Sequence, residues 1–172
     1  MTSLDRLNTF DGDDLTVVIE TSKGSQNKYT FEPRLNAFAL TGVLPAGAVF
    51  PFDFGFVPST LGEDGDPLDV LVLMDAPAFA GCVVPCRLIG VIEAAQTEDG
   101  KTEKNDRLIA VASKSLTHKS LQDIKDVSED LLDQIEHFFV SYNVAKGKVF
   151  KPKGRAGRDR ATALVAEGMA KK

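Results

Sequence analysis

The sequence predicts a mainly β domain, a small barrel or sandwich with helices packed on its outside. Three observations lead there. Short runs rich in Val, Ile and Phe, cut by Gly and Pro, fill the chain from about residue 15 to residue 112. One strong helical period follows, with Ile124, Val127, Leu131, Ile135, Phe138 and Tyr142 recurring at three and four residues. No helical pattern alternates with the apolar runs, so parallel βαβ units are not expected.

Each element has its own signal. Residues 15–20 are rich in Val and Ile and read as a strand, with a turn at Lys23-Gly24-Ser25. Residues 28–32 form a second strand stopped by Pro33, and residues 38–44 a third broken by Pro45-Ala46-Gly47. Residues 50–58 are aromatic and punctuated by proline, which predicts short extended pieces and bends. Residues 69–74 are a buried strand, and residues 83–95 another with a kink at Pro85. The polar stretch 96–106 reads as a surface hairpin or loop, and residues 107–112 as a strand. A helix begins near Ser128 and stops at Gly147. Residues 148–160 carry six basic side chains among glycines and read as a solvated, flexible lead-in to a final helix over 161–170. The acidic stretch Asp11-Gly12-Asp13-Asp14 reads as a solvated loop.

Composition narrows the function. The chain has 172 residues, the size of one domain, and 43% hydrophobic content supplies a substantial core. A net charge of −5 and a pI near 5.1 argue against a nucleic-acid partner. The two cysteines, Cys82 and Cys86, sit in apolar sequence and make no disulfide framework, which fits a reduced, cytoplasmic setting. No signal-peptide pattern opens the chain, and no apolar stretch reaches the ~18 residues of a membrane span.

The run Glu63-Asp64-Gly65-Asp66-Pro67-Leu68-Asp69 carries the most chemistry. Asp64 and Asp66 are two apart and face one side of an extended segment. Pro67 biases Asp66 towards extended backbone, and Gly65 permits a tight turn. Such a cluster repels itself unless a cation sits in it, and oxygen-only donors suit Mg²⁺. An EF-hand reading fails, because the sixth and twelfth positions of such a loop are Asp69 and Asp75 rather than Gly and Glu. His118 and His137 lack metal-ligand spacing and read as structural or solvent-facing.

The segment Asp64-Gly65-Asp66-Pro67-Leu68-Asp69-Val70 resembles the signature of the soluble family I inorganic pyrophosphatases. Colinear segments agree: Val17-Val18-Ile19-Glu20, Lys28-Tyr29, Pro51 with Gly55, Cys86-Arg87 with Gly90-Val91, Ile124-Lys125-Asp126-Val127, and His137-Phe138-Phe139 with Tyr142. The resemblance covers roughly residues 15–150 of a single domain spanning 1–172, with 151–172 a basic segment and helix. It implies a five-stranded, OB-like closed barrel with two main α-helices outside. It also implies cytoplasmic, Mg²⁺-dependent hydrolysis of pyrophosphate to two phosphates, with several ions per site, by a homo-oligomer, commonly a hexamer. Asp64, Asp66 and Asp69 would hold metal, and Asp66 would also help deprotonate the attacking water. Glu20 would add a carboxylate to the site, and Lys28, Arg107, Tyr142 and Lys148 would contact phosphate.

Several family positions are replaced. A glutamate reads Thr30, and a phosphate-binding arginine falls on Gly42. Two tyrosines read Phe50 and Phe54 with Asp53 between them, and a lysine after Tyr142 reads Asn143. Where the family has two aspartates and a lysine, direct alignment gives Gln96, Asn105 and Arg107, whereas a shifted gap places Asp99 and Asp106 as metal ligands. Losing an Arg and a Lys removes two charge-assisted contacts of ~1.5–3 kcal/mol each, or ~10²–10⁴ in rate. Three readings follow: a pyrophosphatase with compensating ligands, a hydrolase of another phosphoanhydride, or a catalytically degenerate homologue that binds metal, phosphate or a partner.

Overall fold

The computed structural model describes residues 2–172. Its strands are β1 (Phe10–Asp11), β2 (Asp14–Thr21), β3 (Asn27–Glu32), β4 (Ala37–Val43), β5 (Asp53–Val57), β6 (Leu68–Leu73), β7 (Val83–Glu98), β8 (Lys101–Lys104), β9 (Arg107–Ala112) and β10 (Val149–Gly157). The helices are α1 (Glu129–Ala145) and α2 (Arg158–Ala170).

Five strands form a ring. β2 pairs with β5, β5 with β6, β6 with β9, β9 with β7, and β7 returns to β2. Only β6 and β9 run parallel, with Val70 beside Leu108. The long β7 makes the ring possible. Its start pairs with β2, its middle with β9 and β10, and its end folds back on β8 as a hairpin. β3 and β4 form a separate two-stranded arm. The expected five-stranded, OB-like architecture with two outer helices is present.

The ring strands read as continuous apolar runs because both of their faces are covered. Leu71, Leu73, Ile109 and Val111 pack with Leu132, Ile135 and Phe139 of α1. Val70, Val72, Leu108 and Ala110 pack with Ala161, Leu164 and Val165 of α2. A period of two is lost when neither face is wet.

The stretch 50–58 is as expected: bends at Pro51 and Phe52 lead into a short extended piece, Asp53–Val57, which is fully buried. Gly55 is what lets it close on β2, because a Cβ there would lie 2.0 Å from the Val18 carbonyl oxygen. Asp53 is an anchor within it, accepting from the Lys23 N–H at 2.6 Å and the Ala78 N–H at 2.8 Å. One expectation is corrected: the basic stretch 148–160 is not a loose lead-in but forms β10 against β7 and enters α2 directly. Lys148, Arg155 and Arg160 are paired across elements, whereas Lys151, Lys153 and Arg158 are exposed without an ion pair among the described residues. Arg155 bonds Glu129, Asp133 and Glu136, which are spaced along one face of α1, and Arg160 bonds Glu93. Ser128 caps α1 through a bond from the Leu131 N–H at 3.2 Å, and Gly147 at φ +74° follows its end. No described helix is long and apolar enough to cross a membrane.

Candidate active site

A cavity of about 230 Å³ opens between the acidic loop before β6, the β3–β4 arm and the end of α1. Eight of the ten residues marked from the sequence line it: Glu20, Lys28, Asp64, Asp66, Asp69, Arg107, Tyr142 and Lys148.

The acidic wall is built locally. Gly65, at φ +86°, turns the loop, and the Gly62 N–H closes it on the Asp66 carbonyl at 2.7 Å. The Asp66 N–H donates to Asp64 Oδ1 at 3.1 Å, so the Asp64 carboxylate folds over the turn. Asp64 and Asp66 stand in the cavity mouth. Partial desolvation raises the pKa of both, and the charge of Asp69 beside them adds to the rise.

Glu20, near the end of β2, is 6% exposed. Its Oε1 accepts from the Phe31 N–H at 2.8 Å. Burial pushes its pKa up to about 7; the Phe31 bond and Lys28 oppose the rise, while Asp69 and Asp66 add to it.

Arg107 joins the two sides of the site. The parallel register of β6 and β9 sets it beside Asp69, and its guanidinium bonds Asp69 Oδ2 and Asn105 Oδ1. Asn105 Nδ2 in turn donates to Gln96 Oε1 at 2.9 Å. Three rings surround the guanidinium: Phe139 at 5.1 Å, Phe150 at 5.3 Å and Phe54 at 6.0 Å. Phe54 therefore keeps a wall role without a hydroxyl.

The basic wall is assembled from distant segments. Lys28 Nζ lies 5.2 Å from the Phe54 ring and 5.9 Å from the Tyr142 ring. Tyr142 is stacked on Phe138 with centroids 5.7 Å apart, and Phe50 lies at the same distance. Lys148 reaches the cavity from the start of β10 and pairs with Glu98 at 3.1 Å. Thr30, where the family has a glutamate, lines the cavity and bonds Thr41 at 2.8 Å.

The two remaining candidates are not brought there. Asp99 is at the apex of the β7–β8 hairpin with φ +51° and does not line the cavity. Asp106 lies just before β9, which begins at Arg107. Its carboxylate turns away, accepting from the Ala94 N–H at 3.0 Å and pairing with Lys104 at 3.3 Å. The shifted alignment therefore does not rebuild a carboxylate at this site; Gln96 and Asn105 occupy that side instead.

One cavity cation was missed. Lys146, one helical turn beyond Tyr142, lines the cavity and donates to the Tyr142 hydroxyl at 3.1 Å. Asn143, the position read as a lost lysine, is buried and donates to the Phe139 carbonyl at 2.8 Å. The four-residue spacing from Tyr142 on a predicted helix was the available signal.

The donor set fits a hard cation, because the acidic wall offers only oxygens, and two of its carboxylates are raised by partial desolvation with a further push from the charge of Asp69. Among the described residues no three Asp, Glu, His or Cys side chains stand together as a ready cage, and Asp69 is held by Arg107.

Comparison with known proteins identifies the family. The family described as inorganic pyrophosphatase matches residues 17–172. The chain is 39% identical to the inorganic pyrophosphatase of a Nostoc species, over 90% of this chain and 89% of that one. It is 42% identical to that of Thermus thermophilus, over 86% and 83% of the two chains. The crystal structure of the Thermus thermophilus enzyme superposes with a TM-score of 0.90 at 36% identity, covering 99% and 98% of the chains. A Helicobacter pylori inorganic pyrophosphatase structure gives 0.86 at 37% identity, covering 94% of each.

Proposed function

This chain belongs to the inorganic pyrophosphatase family, and we infer from that membership that its reaction is the hydrolysis of pyrophosphate to two phosphates. It is a metal-dependent hydrolase of a phosphoanhydride, and the comparisons favour this over a degenerate binding homologue. The metal would be Mg²⁺, and Asp64, Asp66 and Asp69 would hold it. When bound, it supplies an activated water and neutralises phosphate charge.

The observation that carries this reading is one cavity with a carboxylate wall facing a wall of lysine and arginine. Asp66 accepts the proton of the attacking water. The water oxygen bonds to one phosphorus, the bond from that phosphorus to the bridging oxygen breaks, and the bridging oxygen leaves with the electron pair on the second phosphate. Lys28, Arg107 and Lys148 meet the phosphate oxygens with positive charge, and Tyr142 offers a hydroxyl donor. Glu20 adds a buried carboxyl at the edge of the site, its pKa raised chiefly by burial. The aromatic cage holds Arg107 in place without further ordering, which is preorganisation.

A cytoplasmic homo-oligomer, by resemblance a hexamer, completes the reading.

The test is phosphate release from pyrophosphate by the purified protein, with and without Mg²⁺, beside Asp66→Ala. Release that needs Mg²⁺ and disappears in the variant is expected. No release above the variant would end the hydrolytic reading.

A further inference from the structure

We propose that Lys146 is a substrate-contact residue that holds a phosphate oxygen of pyrophosphate, with Tyr142 as the residue that positions it. The proposal rests on the pyrophosphatase reading above and assigns a residue that the sequence alone did not single out.

Four observations carry it. Lys146 lines the cavity opposite the carboxylate loop. Its ammonium has no carboxylate within ion-pair distance among the described residues, whereas Arg107 and Lys148 do. It is aimed, because Nζ donates to the Tyr142 hydroxyl at 3.1 Å and lies 4.8 Å from the ring centroid. Lys28 approaches the same ring to 5.9 Å, so two like charges share one aromatic platform. Such a pair repels itself, and an anion placed between the two relieves the repulsion. The phosphate end of the substrate is the anion this cavity is built to receive. The C-terminal end of α1 attracts a cation by its dipole, but that attraction does not by itself turn the ammonium into the cavity.

The positioning is rigid at its base. Tyr142 is stacked on Phe138 and touches Phe50, which leaves its hydroxyl at a fixed place. Asn143 is committed to the helix backbone and cannot supply the charge. The helix delivers its cation one turn later instead.

The experiment measures binding of inorganic phosphate by calorimetry, and KM and kcat for pyrophosphate, in wild type, Lys146→Gln, Lys146→Arg, Tyr142→Phe and the surface control Lys114→Gln. Lys146→Gln is expected to weaken phosphate and raise KM by ~10-fold, the size of one charge-assisted contact. Lys146→Arg restores most of the loss, Tyr142→Phe gives part of it, and Lys114→Gln leaves both constants unchanged. Mg²⁺ binding in the absence of phosphate stays as in wild type throughout. The proposal is overturned if Lys146→Gln binds phosphate within twofold of wild type, or if Lys114→Gln shifts it equally. A wild type that neither binds phosphate nor hydrolyses pyrophosphate would instead overturn the substrate reading, and the role of Lys146 with it.

Discussion

Arg107 lies beside Asp69 across the one parallel strand pair of the ring, and its guanidinium bonds that carboxylate inside a cage of three phenylalanine rings. Arg107 is 4% exposed, so the pair is shielded from solvent on the arginine side. Removing one partner strands the other charge. Arg107→Ala should lose about 3–5 kcal/mol of stability in urea unfolding, together with most of the activity. Equal urea midpoints for variant and wild type would show that the pair contributes nothing.

Gly42 lies opposite Lys28 in the β3–β4 arm. Directly paired residues share a face of the sheet. A Cβ at Gly42 meets only the Lys28 Cβ, at 3.8 Å, an ordinary contact. An arginine therefore fits there without moving backbone. Gly42→Arg should lower KM for pyrophosphate by ~10-fold, one charge-assisted contact, with the Mg²⁺ requirement unchanged. Steady-state kinetics decide, and an unchanged or higher KM would mean the arm holds that side chain away from the cavity.

Glu20 gives a pH signature. Its folded pKa is raised from 4.5 to about 7, chiefly by burial. A raised carboxyl pKa means the folded state holds the proton more tightly than the unfolded one. The stability it contributes is present below the unfolded pKa and is lost as pH rises through about 7. In metal-free buffer, Glu20→Gln should therefore gain ~1–3 kcal/mol over wild type at pH 8, and the gain should vanish near pH 4. Chemical denaturation at the two pH values is the check, and a constant difference would assign the effect to packing.

Gly55 is required by the ring itself. Its missing Cβ is replaced by the Val18 carbonyl at 2.0 Å, which belongs to backbone and has no freedom to swing aside. Gly55→Ala should cost about 2–3 kcal/mol by forcing β2 from β5. Thermal unfolding measures it, and a change below ~0.5 kcal/mol would show that the strands adjust freely.

How much of this was legible beforehand depended on how far apart the partners lie in the chain. Strands over 14–21, 68–73 and 107–112 declared themselves because their apolar residues are consecutive. The helix over 129–145 did so through its period and the Ser128 cap. β10 did not, because its six basic neighbours look solvated until the Glu129, Asp133 and Glu136 face of α1 is seen opposite Arg155. β5 was legible as a short extended piece among bends, but the reason for its glycine, close contact with a distant strand, was not.

The acidic wall was determined by sequence alone. Asp64, Asp66 and Asp69 lie within six residues, and local chain geometry suffices to bring them to one place. The basic wall was decided only by tertiary structure. Lys28, Arg107, Lys146 and Lys148 come from three separate stretches of chain, and strand register and helix packing determine which of them reach the cavity. Just ahead of β9 the Asp106 carboxylate turns to the Ala94 N–H, while Arg107, the first residue of that strand, reaches Asp69. Short-range spacing is written in the sequence, whereas the facing of one strand or helix towards another is settled by the burial of apolar surface far along the chain.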